Sequence, residues 1–173
     1  VLPDVVPSVA PCGRRGSSTR GGPALALAWL RCCSLGASEL EDVMGYALSK
    51  TVQGGFDETL ARTRTALAEQ GFGVLTEIDL AATLKGKLGV EIPAQVILGA
   101  CNPPSAFEAL GAEESIGLLL PCNVVVRWAG EDTTVVEAID PATMHVLTGN
   151  DALEPVAARV GAKLRAALTS LGA

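Results

Sequence analysis

The sequence predicts an α+β fold, in which one domain over residues 44–173 forms an antiparallel sheet packed against helices. Short segments with alternating apolar side chains, the period of a strand, are interspersed with helical segments along the chain. Two of the strand-like segments flank Gly130-Glu131-Asp132, which is a hairpin signal and indicates antiparallel pairing. The last segment has one continuous apolar stripe at helical spacing. These observations favour an α+β sandwich over a doubly wound parallel sheet.

The first half of the domain contains two predicted strands and two predicted helical segments. The side chains of the first strand alternate between the two faces of the predicted sheet. The longer helix has one apolar stripe and ends before a glycine, which suits the left-handed backbone conformation common at helix C-termini. The second helical segment is short and stops at a glycine. The predicted elements are the strand Tyr46–Val52, the helix Phe56–Gln70 before Gly71, the strand Val74–Asp79 and the helical stretch Leu84–Leu88.

The second half contains the hairpin, one further strand and two helices. An apolar strand over Gln95–Ala100 lies between prolines, and we expect it in the interior of the sheet. Pro103 and Pro104 open a helix, because proline fits the first helical turn, where its missing N–H is not needed. Beyond these, the predicted segments are Ile116–Leu120, the hairpin strands Asn123–Trp128 and Thr133–Ile139, and a helix with the apolar stripe Leu153, Val156, Val160, Leu164, Leu168 and Leu171.

The predicted core consists mainly of aliphatic side chains. Apolar residues make up 49% of the 173 residues, enough for a folded domain, whereas aromatic residues make up only 3%. The few large core residues are therefore expected to be Phe56, Phe72 and Phe107.

The charge distribution argues against a nucleic-acid partner. The first 43 residues contain four basic and four acidic residues, so the net charge of −6 belongs entirely to the remaining sequence. Binding to a phosphate backbone requires clustered Lys and Arg side chains. An acidic domain without a basic stripe is a poor candidate.

Residues 1–43 are expected to lie outside the folded domain. They are rich in Pro and Gly without sustained periodicity, and the first Met of the chain is Met44. We expect them to be disordered or an over-extended gene start, with the domain in the cytoplasm. The alternative is a signal peptide within residues 1–37, which would export the domain, because Ala24–Leu30 follows three arginines. The apolar run is too short to anchor the protein in a membrane.

A Cys-Asn-Pro segment provides the candidate site. Cys101 follows an apolar strand and precedes a helix that begins with Pro103, so its sulfur is expected near a helix N-terminus, where a thiolate is stabilised. Asn102 is expected to cap that helix, because its side-chain oxygen accepts an orphan N–H. Cys122 and Asn123 form a second Cys-Asn pair after another apolar run. If the two cysteines are close, they form a redox couple or share a soft metal, although two thiols leave a tetrahedral site two ligands short.

Each candidate also has a structural interpretation. A buried free cysteine is a common small core residue, and Cys-Asn-Pro after a strand is ordinary turn chemistry. Lys85 on the short helix is an anion-binding candidate, but a solvated helix face explains it as well.

Several segments resemble a known protein family. They are Gly71-Phe72-Gly73-Val74-Leu75, Lys85 with Lys87-Leu88-Gly89, Cys101-Asn102-Pro103-Pro104, Leu119-Leu120-Pro121-Cys122 and Ala138-Ile139-Asp140-Pro141. With them the chain resembles the uncharacterised bacterial and archaeal proteins of domain-of-unknown-function family 302. The resemblance implies a curved antiparallel sheet similar to the TATA-box-binding-protein class, and a homodimer. It implies no reaction, because the family has no agreed activity.

The sequence supports three functional hypotheses and assigns no cofactor or catalytic residue. It contains no Cys-x-x-Cys, phosphate loop, dinucleotide fingerprint or nucleophile elbow. The main hypothesis is a dimeric module that binds a small ligand or a protein at the Cys-Asn-Pro corner. The alternative is a thiol-dependent redox or metal-handling protein in which Cys101 reacts and Cys122 supports it. A third is a structural subunit of a larger assembly.

Overall fold

Five strands and five α-helices make up the part of the chain that the computed structural model describes, residues 45–172. The expectations for residues 1–43 and for Met44 lie outside this range. The elements in chain order are β1 (Ala47–Gln53), α1 (Phe56–Glu69), β2 (Gly73–Asp79), α2 (Leu80–Leu88), β3 (Gln95–Cys101), α3 (Pro103–Ala112), a 3₁₀ helix (Glu114–Leu119), β4 (Cys122–Gly130), β5 (Thr133–Ile139), α4 (Ala142–Thr148), a 3₁₀ turn (Asp151–Leu153) and α5 (Glu154–Ser170).

The strands form one open antiparallel sheet in the order β1-β5-β4-β3-β2. Strands β2 to β5 follow one another across the sheet, and β5 then pairs with β1. The connection through α1 therefore carries the chain from one edge strand to the other. The predicted hairpin is confirmed as β4–β5, and β3 lies in the interior of the sheet, as expected.

Helices α1 and α5 cover one face of the sheet because each has one apolar stripe. All six stripe residues predicted in the C-terminal helix segment are buried, from Leu153 to Leu171. Opposite them lie the inward-facing strand residues, among which Leu98, Val124 and Val136 have no exposed surface. At the end of α1, Gly71 has a φ of +78° and the Phe72 N–H donates to the Leu67 carbonyl, which confirms the glycine C-terminus. The fold is thus α+β, as the sequence predicts.

In the part of the chain that the structure describes, the apolar core lies under α1 and α5, and the other face of the sheet is more exposed. Val125, Arg127 and Glu137 lie on this face and are only partly buried. We call it the open face, and the face under α1 and α5 the covered face.

One expectation about the helices is wrong, and one helix was not predicted. Phe107 on α3 is 83% exposed and contributes nothing to the core, whereas Phe72 is buried and Phe56 packs partly against it. The low aromatic content predicted Phe107 as one of the few large core residues, but the buried side of α3 consists of the small residues Ser105 and Ala109. The short helix α4 was not predicted, because its seven residues are too few to show a period.

No helix within residues 45–172 combines the length and the apolar character needed to cross a bilayer.

Candidate functional site

The Cys-Asn-Pro corner lies where β3 ends and α3 begins. Cys101 is the last residue of β3, Asn102 is the N-cap of α3, and Pro103 is its first residue. Proline is tolerated there because the first helical N–H groups have no partner within the helix. Apolar strand, capping residue and proline therefore produce the abrupt change from strand to helix that the sequence predicts.

Asn102 holds this corner together through both ends of its amide. Its Oδ1 accepts from the Ser105 backbone N–H at 3.4 Å and from the Ser105 hydroxyl at 2.9 Å. Its Nδ2 donates to the Gly71 carbonyl at 2.8 Å, which links α3 to the end of α1. The expected capping role is confirmed. Because Asn102 is buried and these bonds occupy it, its primary role in this geometry is to position the corner.

The structure brings Cys101 and Cys122 together at one small cavity. The two residues lie on neighbouring strands, where Ala100 of β3 pairs with Cys122 of β4. Both thiols are free and both residues line the cavity; Cys122 is buried, and Cys101 is partly buried. The sequence left open whether they are close, because strand register is a long-range property.

The environment of Cys122 keeps its thiol neutral. Burial, and next the negative charge of a nearby Cys101 thiolate, raise the pKa of Cys122 from its ordinary 9.0 to about 11. Both effects disfavour a second negative charge in an apolar setting. Of the two residues, Cys101 is the more exposed.

The cavity admits only a very small occupant. Its free volume is about 20 Å³, compared with the 10–15 Å³ or so that one water molecule requires. Its walls come from β3, β4, α3, α4 and α5, and its apolar lining includes Phe72, Met144 and Val156.

Met144 is the cavity residue that sequence reasoning missed. It lies on α4, the helix that was not predicted, and is 5% exposed. Two local signals mark this helix: Pro141 immediately precedes it, and Gly149 follows it with a φ of +65°. Combining them would have placed Met144 on a short helix, although not at the cavity.

Three of the sequence-predicted site residues do not line the cavity: Asn123, Lys85 and Pro103. Asn123 follows Cys122 in β4, so its side chain is on the open face, where it is exposed. Lys85 is on α2, which starts at the opposite end of β2 from the corner, about 20 Å along the strand. There it forms an exposed ion pair with Glu91 at 2.7 Å, which favours the solvated-face interpretation. Pro103 is exposed at the start of α3.

Asn123 instead borders a shallow groove on the open face. This groove has a volume of about 490 Å³ and is lined by Tyr46, Gln95, Val125 and the paired Arg127 and Glu137, among others. Arg127 Nε donates to Glu137 Oε2 at 3.0 Å. The groove is much larger than the corner cavity, but the Arg127–Glu137 pair neutralises its charge locally.

The edge strand β2 is exposed along its whole length in the part of the chain that the structure describes. All seven of its residues are exposed, including Val74, Leu75 and Ile78, and the following helix α2 has no buried residue. An exposed apolar edge strand presents unpaired backbone groups to any other strand, and natural proteins rarely leave one free.

The fold and the site define a class of protein: an open-sheet α+β domain with two free thiols at a strand-to-helix corner. Its family model is "Domain of unknown function DUF302", which matches residues 48–171, and the chain belongs to this family. Among solved structures, it is similar to an uncharacterized conserved protein DUF302 from Bacillus stearothermophilus, with 30% identity and a TM-score of 0.67. That similarity covers 72% of this chain and 97% of the other. No curated protein matches the chain.

Proposed function

We propose that this protein is a dimeric binding module that holds a small ligand at the Cys-Asn-Pro corner. The observation that carries the proposal is the convergence of Cys101 and Cys122 on one cavity whose only polar neighbours, Asn102 and Ser105, bond to each other. In such a cavity, the cysteine residues are the main groups left to bind a ligand, because Asn102 and Ser105 already bond to each other. Its volume limits the bound group to the size of one small molecule or ion.

The proposed dimer pairs β2 of one protomer with β2 of a second copy. Seven exposed strand residues with a free edge suit antiparallel pairing about a two-fold axis, in which each copy offers the same surface. If the axis passes near Thr76, the middle residue of β2, Val74 of each copy lies opposite Ile78 of the other. This pairing covers apolar side chains that the monomer leaves exposed.

A charged side chain in the middle of β2 tests the dimer. We expect Leu75→Glu to shift the protein from dimer to monomer in sedimentation velocity, because in this register each new carboxylate lies opposite Glu77 of the other copy, and like charges directly opposite across a strand pair are destabilising. The matched control is Leu118→Glu, an equally drastic change at an 88% exposed residue of the 3₁₀ helix. A Leu75→Glu protein that stays dimeric, or a wild type that is monomeric at micromolar concentration, contradicts the proposed pairing.

Native mass spectrometry tests the ligand site on the full chain. Cys12, Cys32 and Cys33 are first replaced by Ser, so that only the two cavity thiols remain; we call this protein the two-thiol variant. We expect a bound mass or a thiol adduct on the two-thiol variant purified without reductant, and its loss in the additional variant Cys101→Ser. An adduct-free spectrum for both proteins opposes ligand capture at the corner.

A second candidate function is thiol redox chemistry, in which Cys101 reacts and Cys122 resolves or supports it. The observation that favours it is the electrostatic coupling of the two thiols, which requires their proximity. Intact mass of the two-thiol variant under denaturing conditions separates the two functions. A loss of two hydrogens after mild peroxide treatment indicates an internal disulfide, whereas a noncovalent ligand dissociates and leaves the chain mass unchanged, and a thiol adduct adds its own mass.

A further inference from the structure

Helix α3 places its small residues inward and its large apolar residues outward. Ser105 and Ala109 are buried and line the corner cavity. Phe107 and Leu110, which are 83% and 48% exposed, lie three residues apart and therefore on one side of the helix. An amphipathic helix normally turns its large apolar side chains toward the core. We call the side of α3 with Phe107 and Leu110 its outer face.

Further large apolar side chains are exposed near the C-terminal end of α3. Leu118, on the 3₁₀ helix that follows, is 88% exposed. The loop after α4 reaches the last residue of α3, because Asn150 Nδ2 donates to the Ala112 carbonyl at 3.0 Å. Val146 and Leu147 of α4 are 75% and 69% exposed. Clustered apolar side chains on a surface mark protein or membrane interaction sites.

The charge around this outer face is negative. Residues 88–126 contain no Lys, Arg or His, whereas three carboxylates lie in or directly after α3: Glu108, Glu113 and Glu114. Arg159 of α5 pairs with Glu108. Glu113 accepts hydrogen bonds from neutral donors and so keeps its charge, and Glu114 is exposed. The apolar side chains are therefore flanked by negative charge that no nearby cation of their own segment offsets.

We propose that the outer face of α3 binds an amphipathic helix of another protein. The apolar stripe of that helix covers Phe107 and Leu110, and its Lys or Arg side chains face Glu113 and Glu114. An amphipathic helix binds an apolar surface through side chains at i, i+3, i+4 and i+7, and complementary charge selects the partner.

The same charges disfavour two other occupants of the outer face. A second copy of this chain would bring Glu113 and Glu114 of both copies together, and like charges across an interface are costly. The cytoplasmic leaflet of a membrane is also negatively charged, and it attracts basic rather than acidic surfaces. The inference goes beyond the proposed ligand site, although the inner side of α3 lines that cavity.

The test measures binding of a fluorescently labelled synthetic peptide to the full chain in reductant, by fluorescence anisotropy. The peptide has about 18 residues, about five helical turns, with Leu on one face and Lys on the other. One control peptide has the same composition in a scrambled order that gives no apolar face, and a second has Glu in place of Lys. We expect clear binding of the first peptide only. No binding of that peptide, or equal binding of the scrambled one, overturns the proposal.

Phe107→Ser tests whether the peptide binds at α3. We expect affinity at least about 10-fold lower, the loss typical of an aromatic anchor at an interface. The matched control Leu88→Ser changes a 69% exposed leucine on α2 and is expected to have no effect. Both side chains are exposed, so both variants are expected to fold. Equal losses in the two variants contradict binding at the outer face.

Glu114→Gln tests the charge contribution, with a smaller expected loss of about 2- to 5-fold that disappears in high salt. An unchanged affinity at low salt contradicts the proposed charge pairing. Co-sedimentation with phosphatidylglycerol vesicles is measured in parallel. Vesicle binding that requires Phe107, without binding of the basic peptide, would identify a membrane surface instead and overturn the proposal.

Discussion

Cys122 and Asn123 are consecutive in β4, but they belong to two very different surfaces. Cys122 is on the covered face, buried beside a cavity of about 20 Å³, whereas Asn123 is on the open face, exposed at a groove of about 490 Å³. The covered face is apolar and contributes sulfur; the open face is mixed and contributes an ion pair and amides. Two consecutive residues of one strand thus border two different surfaces, the cavity on the covered face and the groove on the open face.

The largest expected effect contrasts Leu98 with Ile97, neighbours in β3 that point to opposite faces. Leu98 has no exposed surface, so Leu98→Ala leaves a cavity and lowers the free energy of unfolding by about 2–5 kcal/mol. Ile97 is only partly buried on the open face, and Ile97→Ala lowers it by about 1 kcal/mol. Urea denaturation at one protein concentration measures both. Equal losses would show that the open face is covered in solution, for example by a second copy.

A pH series sharpens the same comparison at Cys122. The pKa of this thiol is about 11 in the folded protein, against 9.0 as its ordinary value. Above pH 9 the unfolded chain therefore loses the Cys122 proton while the folded chain keeps it, so stability falls as the pH rises from 9 to 11. Two pKa units correspond to about 2–3 kcal/mol.

The measurement compares the wild type with Cys122→Ser, in chelator and reductant, over this pH range. Other groups also titrate there, so the expected result is the difference between the two proteins: the serine variant lacks this part of the decline. If both proteins lose stability in parallel, the Cys122 thiol ionises normally and its surroundings are wetter than the structure indicates.

Local sequence patterns predicted the elements of the covered face well. The stripe from Leu153 to Leu171 repeats at helical spacing, and the cap at Asn102 follows from three adjacent residues, so neither requires knowledge of the rest of the fold. Phe107 shows the limit of the same logic. Composition indicated that the few aromatic residues belong to the core, but it does not reveal which side of a short helix faces the core, and small residues provide the contact in α3.

The sequence could not show which residues meet at the site, because contacts between distant segments determine this. The pairing of β3 with β4 brings Cys101 to Cys122, and the packing of α4 adds Met144; no local pattern encodes either contact. The sequence could have predicted that Asn123 and Cys122 point to opposite faces, because side chains alternate along any strand. Lys85 was predicted as an anion-binding candidate on the short helix, and the antiparallel course of β2 and β3 places it at the opposite end of the sheet from the corner.

The smallest expected effect concerns the open face and its ion pair between Arg127 and Glu137. Both side chains are about a third or more exposed, at 42% and 33%, so solvent screens their attraction. A double-mutant cycle with Arg127→Gln and Glu137→Gln is expected to give a coupling of about 0.2–1 kcal/mol that shrinks in high salt. A coupling well above this range would mean that the pair is desolvated, and hence that the groove on the open face is closed by a bound molecule or protein. A coupling within the expected range means that the groove on the open face is open to solvent. The corner at Cys101 and Cys122 is then the stronger candidate for a ligand site.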